Sequence, residues 1–405
     1  MKNETPGSVK RNSRERLLGA SNCPTADLAD SLVEMSTVYV IGAGASHGES
    51  LRPLQSLSSG HPGTRPTTNP RLHAPPMTGG FFARDLLDAL GYSQAEQENA
   101  EVIRHIRDAG LVNDLFGEGA WKEINLEEVF TALEIEREFQ NPESDHGAKL
   151  LLVRNELVRY IRRIIGLCTL NASGEYYGKL YSRLMRGDSI ITFNWDLLLD
   201  LEFIPPRMGG MVQFQYSNFL DAVKPSDARL HEMLQQSPGD GLLLKLHGSL
   251  NWYRCGNHRC PVSSDFVFLH DTQGCLSVNS NSVEVRCQQC GSVMNPIIVP
   301  PVLRKSITED PVIRAAWGLA WRRLRDASRV VVIGFSAAPT DFYTSWLLRS
   351  TVGVREGVLI NVINPSNDRG AADHDDFRKR MLAIFPRDYD FSCRYFSEIE
   401  SVLRN

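Results

Sequence analysis

The chain predicts a doubly wound parallel α/β sheet that carries an inserted helical subdomain and a small cysteine-bearing module. Three observations support this. Short hydrophobic runs end in polar signatures at VYVIGAGAS (Val38 to Ser46), SIITFNWD (Ser189 to Asp196), LLLKLHGS (Leu242 to Ser249) and VVVIGFS (Val330 to Ser336). Helical periodicity separates several of these runs, the alternation expected of a parallel sheet. Two close cysteine pairs fall between the third run and the fourth. In such a sheet, loops and helix N-termini converge on the carboxyl edge of the strands, and a nucleotide bound there meets free amides.

Composition frames these elements. With 405 residues, 42% of them hydrophobic and 23% charged, the chain can bury a substantial core and exceeds the usual single domain. A net charge of -4 gives no basic footprint, so direct nucleic-acid binding is not expected. No run approaches the roughly 18 apolar residues of a membrane span. The opening MKNETPGSVKRNSRER offers no apolar segment for a signal peptide, so a cytoplasmic protein is expected. In a reducing compartment, eight cysteines with four in close pairs point to metal rather than disulfides.

Residues 1–35 form an N-terminal extension, polar at first and amphipathic from Ala26 to Met35, and the opening dozen residues or so are expected to fray. Residues 36–405 form the main domain. Within it, 50–80 is a Pro/Gly-rich stretch, either a disordered insertion or a loop that folds over a ligand. Residues 81–187 are helical in pattern, as in FFARDLLDAL, NLEEVFTALEIEREF and KLLLVRNELVRYIRRIIGLC. Strand signals return at Ser189, Leu242, Ile297, Val330 and Leu359, with helices around Val312 to Asp326 and Asp341 to Ser350. The cysteine module occupies 253–294. No internal repeat is evident.

Each polar signature has a structural and a chemical reading. Gly42-Ala43-Gly44 permits an ordinary tight turn, or the close approach of a pyrophosphate. Asn194 and Asp196 can cap a following helix, or hold a ribose and orient a water. His247 can be a buried histidine satisfied by backbone, or a general base whose pKa lies near the working pH. Gly334, Ser336 and Asn364 suit plain strand-to-helix turns, or contacts to phosphate, ribose and adenine. Their shared position at one sheet edge favours the chemical reading as a set. Cys255, Cys260, Cys287 and Cys290 form CGNHRC and CQQC, a donor set suited to structural Zn²⁺ in a small ribbon. His258 is the alternative ligand. Cys23, Cys168, Cys275 and Cys393 read as packing or surface residues. Glu127 and Glu128 in NLEEVF can lie close to the site but receive no role, because acidic residues on a helix are ordinarily a solvated face.

As a set, these residues resemble the sirtuins, and specifically a divergent bacterial branch. That family carries a GAGxS turn, a TQNxD stretch, an LHGS-type stretch before a four-cysteine zinc ribbon, a late GTS turn and a strand ending in INxx. Here they stand as Gly42 to Ser46, Thr192 to Asp196, Leu246 to Ser249, the four cysteines, Gly334 to Ser336 and Ile363 to Ser366, in the same order. The resemblance implies a Rossmann-like fold and NAD as substrate, bound at Gly42, Ala43, Gly44, Ser46, Thr192, Gly334, Ser336 and Asn364. It further implies cleavage of the nicotinamide-ribose bond by Asn194, Asp196 and His247.

Departures from the family pattern refine the expectation. His47 to Arg52 replaces the Gly-Ile-Pro-x-Phe-Arg loop, Phe193 replaces a glutamine, and Val299-Pro300-Pro301 replaces the Phe-Gly-Glu strand that pairs with an acyl-lysine peptide. Prolines cannot donate to an added strand. The expectation is therefore an NAD glycohydrolase releasing nicotinamide and ADP-ribose. Chains of this kind resemble NAD-depleting effectors of bacterial anti-phage defence, which implies a homo-oligomer or a separately encoded activating partner such as an ATPase or Argonaute-like sensor. The alternatives are an NAD-dependent deacylase or ADP-ribosyltransferase, and a non-catalytic NAD or ADP-ribose-binding subunit.

Overall fold

In the computed structural model the described residues are 36–50, 80–82, 93–111, 124–169, 174–185, 187–203, 242–263, 266–268, 284–300, 302, 307, 310–339, 341–365, 371–386, 389–392 and 394–400. The N-terminal extension, most of the Pro/Gly-rich stretch, Cys23, Cys275, Cys393, Pro301 and Ser366 lie outside them.

Six parallel strands form the main sheet: β1 (Thr37–Ile41), β2 (Ser189–Thr192), β3 (Leu243–Lys245), β7 (Arg329–Ile333), β8 (Leu359–Ile363) and β9 (Asp390–Ser392). Their spatial order is β3-β2-β1-β7-β8-β9. That is the doubly wound, Rossmann-like order, in which the winding reverses between two central neighbours, here β1 and β7. The runs VYVI, SIIT, LLK and VVVI are almost wholly buried, as strands covered on both faces must be.

Local chemistry sets the helix boundaries. The helix Pro311–Asp326 starts where the Asp310 carboxylate accepts from the amides of Val312 and Ile313, with Pro311 in the first turn. The helix Leu126–Phe139 starts at Asn125, whose side chain accepts from the Glu127 amide. The short helix Glu175–Tyr181 begins at Gly174, and Glu49, at the end of the helix Ala43–Ser50, accepts from the amides of Tyr176 and Tyr177.

Between β1 and β2 the described chain is helical: Ser93–Asp108, Leu126–Phe139, Asp145–Thr169 and Glu175–Tyr181 follow Ala43–Ser50. The second sheet is antiparallel, with β4 (Gly248–Cys255) between β5 (Phe266–Phe268) and β6 (Met294–Ile298). The strand expected at Ile297 therefore belongs to this small sheet and not to the doubly wound one. Its periodicity is strand-like, but nothing local to it specifies the partner.

One hydrophobic core surrounds the main sheet. A second joins the helices, through Phe130, Leu157 and Ile161, to Leu250, Tyr253, Cys255 and Met294 of the small sheet. The helical region and the cysteine module thus bury their apolar faces against each other. Among the described residues no helix is long and apolar enough to cross a membrane.

Candidate active site

The two central turns interlock at the point where the sheet winding reverses. Gly42 N donates to Ile333 O at 2.9 Å, Gly44 N to Gly334 O at 2.9 Å, and Gly334 N to Ile363 O at 3.0 Å. A Cβ on Gly42 would lie 2.6 Å from Gly334 O, and one on Gly44 2.8 Å from the same atom. Gly334 adopts a φ of 62°, and a Cβ there would meet Ala45 N at 2.3 Å. Packing of one turn on the other thus requires glycine at all three positions.

Ser46, one turn into the helix Ala43–Ser50, gathers the polar groups of this edge. Its hydroxyl lies 2.9 Å from the Tyr177 phenol, accepts from Asn194 Nδ2 at 2.8 Å and hydrogen-bonds the Asp196 carboxylate. Asn194 Nδ2 also donates to Gly42 O at 3.1 Å. With Ser46's one proton given to Asp196, the phenol donates to Ser46. Burial, and then the Asp196 charge, push the Tyr177 pKa well above its ordinary value.

Asp196 is buried and caps the helix Leu198–Phe203, Oδ1 accepting from Leu198 N at 3.0 Å. Burial raises its pKa, while Lys245 and the Ser46 hydrogen bond oppose the rise. Beneath it, the fully buried Lys245 donates to Asp196 O at 2.5 Å and to Asp200 Oδ2 at 2.8 Å, and Asn251 donates to Asp200 Oδ1. This ion pair clamps the Asn194–Asp196 loop to the ends of β2 and β3.

His247 sits at the corner where the chain leaves the main sheet for the small one. Gly248 makes that corner with a φ of 80°, and a Cβ there would strike Ile297 O at 2.0 Å. The imidazole is buried against Phe193 at 5.2 Å and Trp317 at 6.4 Å between ring centroids, and the His247 carbonyl accepts from Val299 N.

These groups converge on a cavity of about 170 Å³, open to solvent, to which Ser46, Asn194, Asp196 and His247 all contribute. Gly42, Ala43, Gly334 and Ser336 line one wall, and Phe193 and Phe335 form its apolar lining. Thr192, Gly44 and Asn364 are not among the lining residues. Thr192 Oγ1 donates to Ile41 O and accepts from Asn194 N, Gly44 packs against Gly334, and Asn364 Nδ2 donates to Phe335 O. All three hold the loops that form the wall.

The helical region completes the cavity with Phe81, Leu126, Glu127 and Ile165; the sequence offers the Glu127-Glu128 pair as a neighbour of the site without a role and gives no sign of the other three. The available signal was the cap at Asn125, which fixes the first turn of Leu126–Phe139 and so the direction of Glu127. Tyr177, Lys245 and Asp200 were also missed, since single polar residues in apolar runs reveal no partner.

A larger cleft of about 640 Å³ runs between the helices and the small sheet. Its charges are already paired, Glu134 with Arg137 and Arg154, and Arg254 with Asp310. It also lies away from the carboxyl edge of the parallel sheet where the Gly42 and Gly334 turns meet, so we assign the site to the smaller cavity.

The four module cysteines are unbridged, and their sulfurs all lie within 4.8 Å of one another. Cys255 and Cys290 are 3.5 Å apart, and Cys260 and Cys287 3.9 Å. Tetrahedral Zn²⁺ with bonds of about 2.3 Å holds its sulfurs about 3.8 Å apart. The donor set therefore fits zinc. His258 is exposed and not part of the cluster.

Fold and site together define a Rossmann-like α/β protein with a polar crevice at the switch point and a four-cysteine module able to hold zinc. No protein-family model matches the chain, and no curated protein does. Solved structures similar to it are Sir2 homologues. One is a Sir2 homologue in complex with NAD, 15% identical over 91% of this chain and 88% of that chain, with a TM-score of 0.40. Another is a mutant Sir2 homologue bound to ADP-ribose, 14% identical over 91% of each chain, with a TM-score of 0.39. A third, from work on the mechanism and regulation of Sir2 enzymes, is 13% identical over 87% of this chain and 92% of that one, with a TM-score of 0.35.

Proposed function

We propose that the protein is an NAD glycohydrolase that cleaves the nicotinamide-ribose bond to give nicotinamide and ADP-ribose. One observation carries the reading: Asn194, Asp196 and His247 line a single cavity at the switch point, against the Gly42 and Gly334 turns. The order of motifs along the chain, which resembles that of sirtuins, supports NAD as the dinucleotide. A cavity of about 170 Å³ is smaller than the roughly 300–1,000 Å³ usual for ligand sites, so it suits the nicotinamide end, with the pyrophosphate along the turn edge.

The residues have separable tasks. Both protons of Asn194 Nδ2 are taken by Gly42 O and Ser46 Oγ, which leaves Oδ1 as the acceptor that can orient a water. His247 takes the proton of that water. Asp196 supplies negative charge against the ribosyl centre. Phe193, where the family has glutamine, makes the wall beside His247 apolar and excludes water from it.

Pro300, on the wall of the larger cleft, cannot donate to an added peptide strand, and Val299 N already donates to His247 O. Hydrolysis is therefore favoured over peptide deacylation. By the same resemblance, the protein acts as a cytoplasmic NAD-depleting effector of anti-phage defence, switched on by assembly with itself or with a separately encoded partner. The test is nicotinamide release from NAD by the purified protein, alone and with acyl-lysine peptide, beside Asn194→Ala. Peptide-independent release lost in the variant is expected; release that requires the peptide would make it a deacylase.

A further inference from the structure

Glu127 and Glu128 are adjacent in the first turn of the helix Leu126–Phe139, where both acids favour the positive helix end. There the equivalence stops. Glu127 lines the cavity, whereas Glu128 is exposed to solvent. The backbone fixes this difference, because the Asn125 side chain accepts from the Glu127 amide at 2.8 Å and buried Leu126 and Val129 pin the turn to the core.

The cavity around Glu127 is chemically selective. Leu126, Phe81, Ile165 and Trp195 form an apolar surround, and Ser46, Asn194, Asp196, His247, Ser336 and Asp341 supply the polar side. A carboxylate facing such a space is screened less than one facing bulk water, so it acts more strongly on charge that appears inside. Of the polar set, Asp196 has Oδ1 engaged by Leu198 N and is bonded to Ser46. Glu127 brings a further carboxylate from a different element, on the wall built by the helical region, and Asp341 lines the cavity as well.

We propose that Glu127 is a further catalytic residue of this site, its carboxylate stabilising the positive charge that develops at the ribosyl carbon as nicotinamide departs; the inference rests on the hydrolase reading. The carbon-nitrogen bond breaks with its electron pair going to the pyridine nitrogen, which leaves as neutral nicotinamide. The water held by Asn194 forms the new carbon-oxygen bond and its proton passes to His247, then to solvent. Glu127 acts through its charge and forms no bond. A carboxylate against the pyridinium would instead stabilise the bound substrate, whose positive charge is lost on cleavage, and would lower KM without raising kcat.

The test compares wild type, Glu127→Gln, Glu127→Asp and Glu128→Gln in NAD turnover, with NAD binding read separately by calorimetry. Glu127→Gln is expected to lower kcat by roughly 10²- to 10³-fold, the usual scale for one group aimed at developing charge, with calorimetric affinity within about threefold of wild type. Glu127→Asp keeps the charge and the first-turn acid, and should recover part of the loss. Glu128→Gln should behave as wild type. A wild-type kcat in Glu127→Gln, or a change confined to KM, overturns the role while leaving the hydrolase reading intact. Tight NAD binding without turnover by wild type in every assembly state overturns both.

Discussion

Asn194 donates from Nδ2 to Ser46 Oγ at 2.8 Å across two strands of the sheet, and its second proton goes to Gly42 O at 3.1 Å. The amide is therefore held with its carbonyl as the remaining hydrogen-bonding group, and a neighbour sets that orientation. Ser46→Ala removes the acceptor and leaves buried donors on Asn194 and Tyr177 unsatisfied. A cost of about 1–3 kcal/mol is expected, together with at least a tenfold fall in nicotinamide release, read by chemical denaturation and by turnover. Tyr177→Phe, which keeps its ring on Phe396 at 4.9 Å, should cost only about 1 kcal/mol. Unchanged stability and activity in Ser46→Ala would remove Ser46 from the network.

Asp196 has the opposite energetic character. Burial raises its pKa above the unfolded value, so the folded protein binds that proton more readily than the unfolded chain. The ionised carboxylate thus costs stability at pH above its folded pKa, and the cost fades as pH falls through that pKa. Asp196→Asn keeps an Oδ1 acceptor for Leu198 N while removing the charge. It is expected to melt higher than wild type at pH 8, by an amount that shrinks towards acid, and to lose turnover. A lower melting temperature at pH 8 would show that the charge stabilises the loop.

Lys245 and Asp200 are both fully buried and 2.8 Å apart, so neither charge has solvent to fall back on. Lys245→Met leaves Asp200 uncompensated, and a loss of about 3–5 kcal/mol is expected. Adding Asp200→Asn should restore part of it, because the remaining groups are neutral. A double variant no more stable than the single one would show that Lys245 acts through its bond to the Asp196 carbonyl instead.

These three networks mark how far the sequence could be read. The parallel strands were legible because β-branched runs buried on both faces leave an unmistakable apolar block, as at Val330 to Ile333. Asn194, Asp196 and His247 were legible as residues of that sheet edge because each lies within four residues of the end of such a block. The wall from the helical region was not, since Phe81, Leu126 and Ile165 carry the same apolar signal whether they face a core or a cavity. Ile297 shows the same limit, being strand-like in pattern yet paired in the small sheet. The glycines carry both a turn reading and a ligand reading in sequence, and the approach of two backbones that requires them is visible only in the fold.

The cysteine module contributes to more than its own ribbon, because Cys255, Cys260 and Cys287 belong to the core that also holds the helices. Removing zinc should therefore loosen the helical wall of the cavity as well. One zinc per chain is expected by elemental analysis, and Cys287→Ser should abolish it and lower the melting temperature. Full metal-free stability, with native melting after chelation, would assign the four thiols a packing role alone.

Gly334 and Gly110 separate conformational strain from steric exclusion. Both have positive φ, 62° and 74°, but a Cβ on Gly110 meets nothing within 4 Å, whereas one on Gly334 lies 2.3 Å from Ala45 N and 2.7 Å from Gly44 C. Gly110→Ala should pay only the left-handed backbone penalty of about 1–2 kcal/mol. Gly334→Ala pays the same penalty and must also push the two central turns apart, which displaces Gly42, Ala43 and Phe335 from the cavity wall. Its melting temperature should fall further than that of Gly110→Ala, and dinucleotide affinity should fall with it. Equal losses in the two variants, with affinity unchanged, would show that the turns can separate without disturbing the crevice.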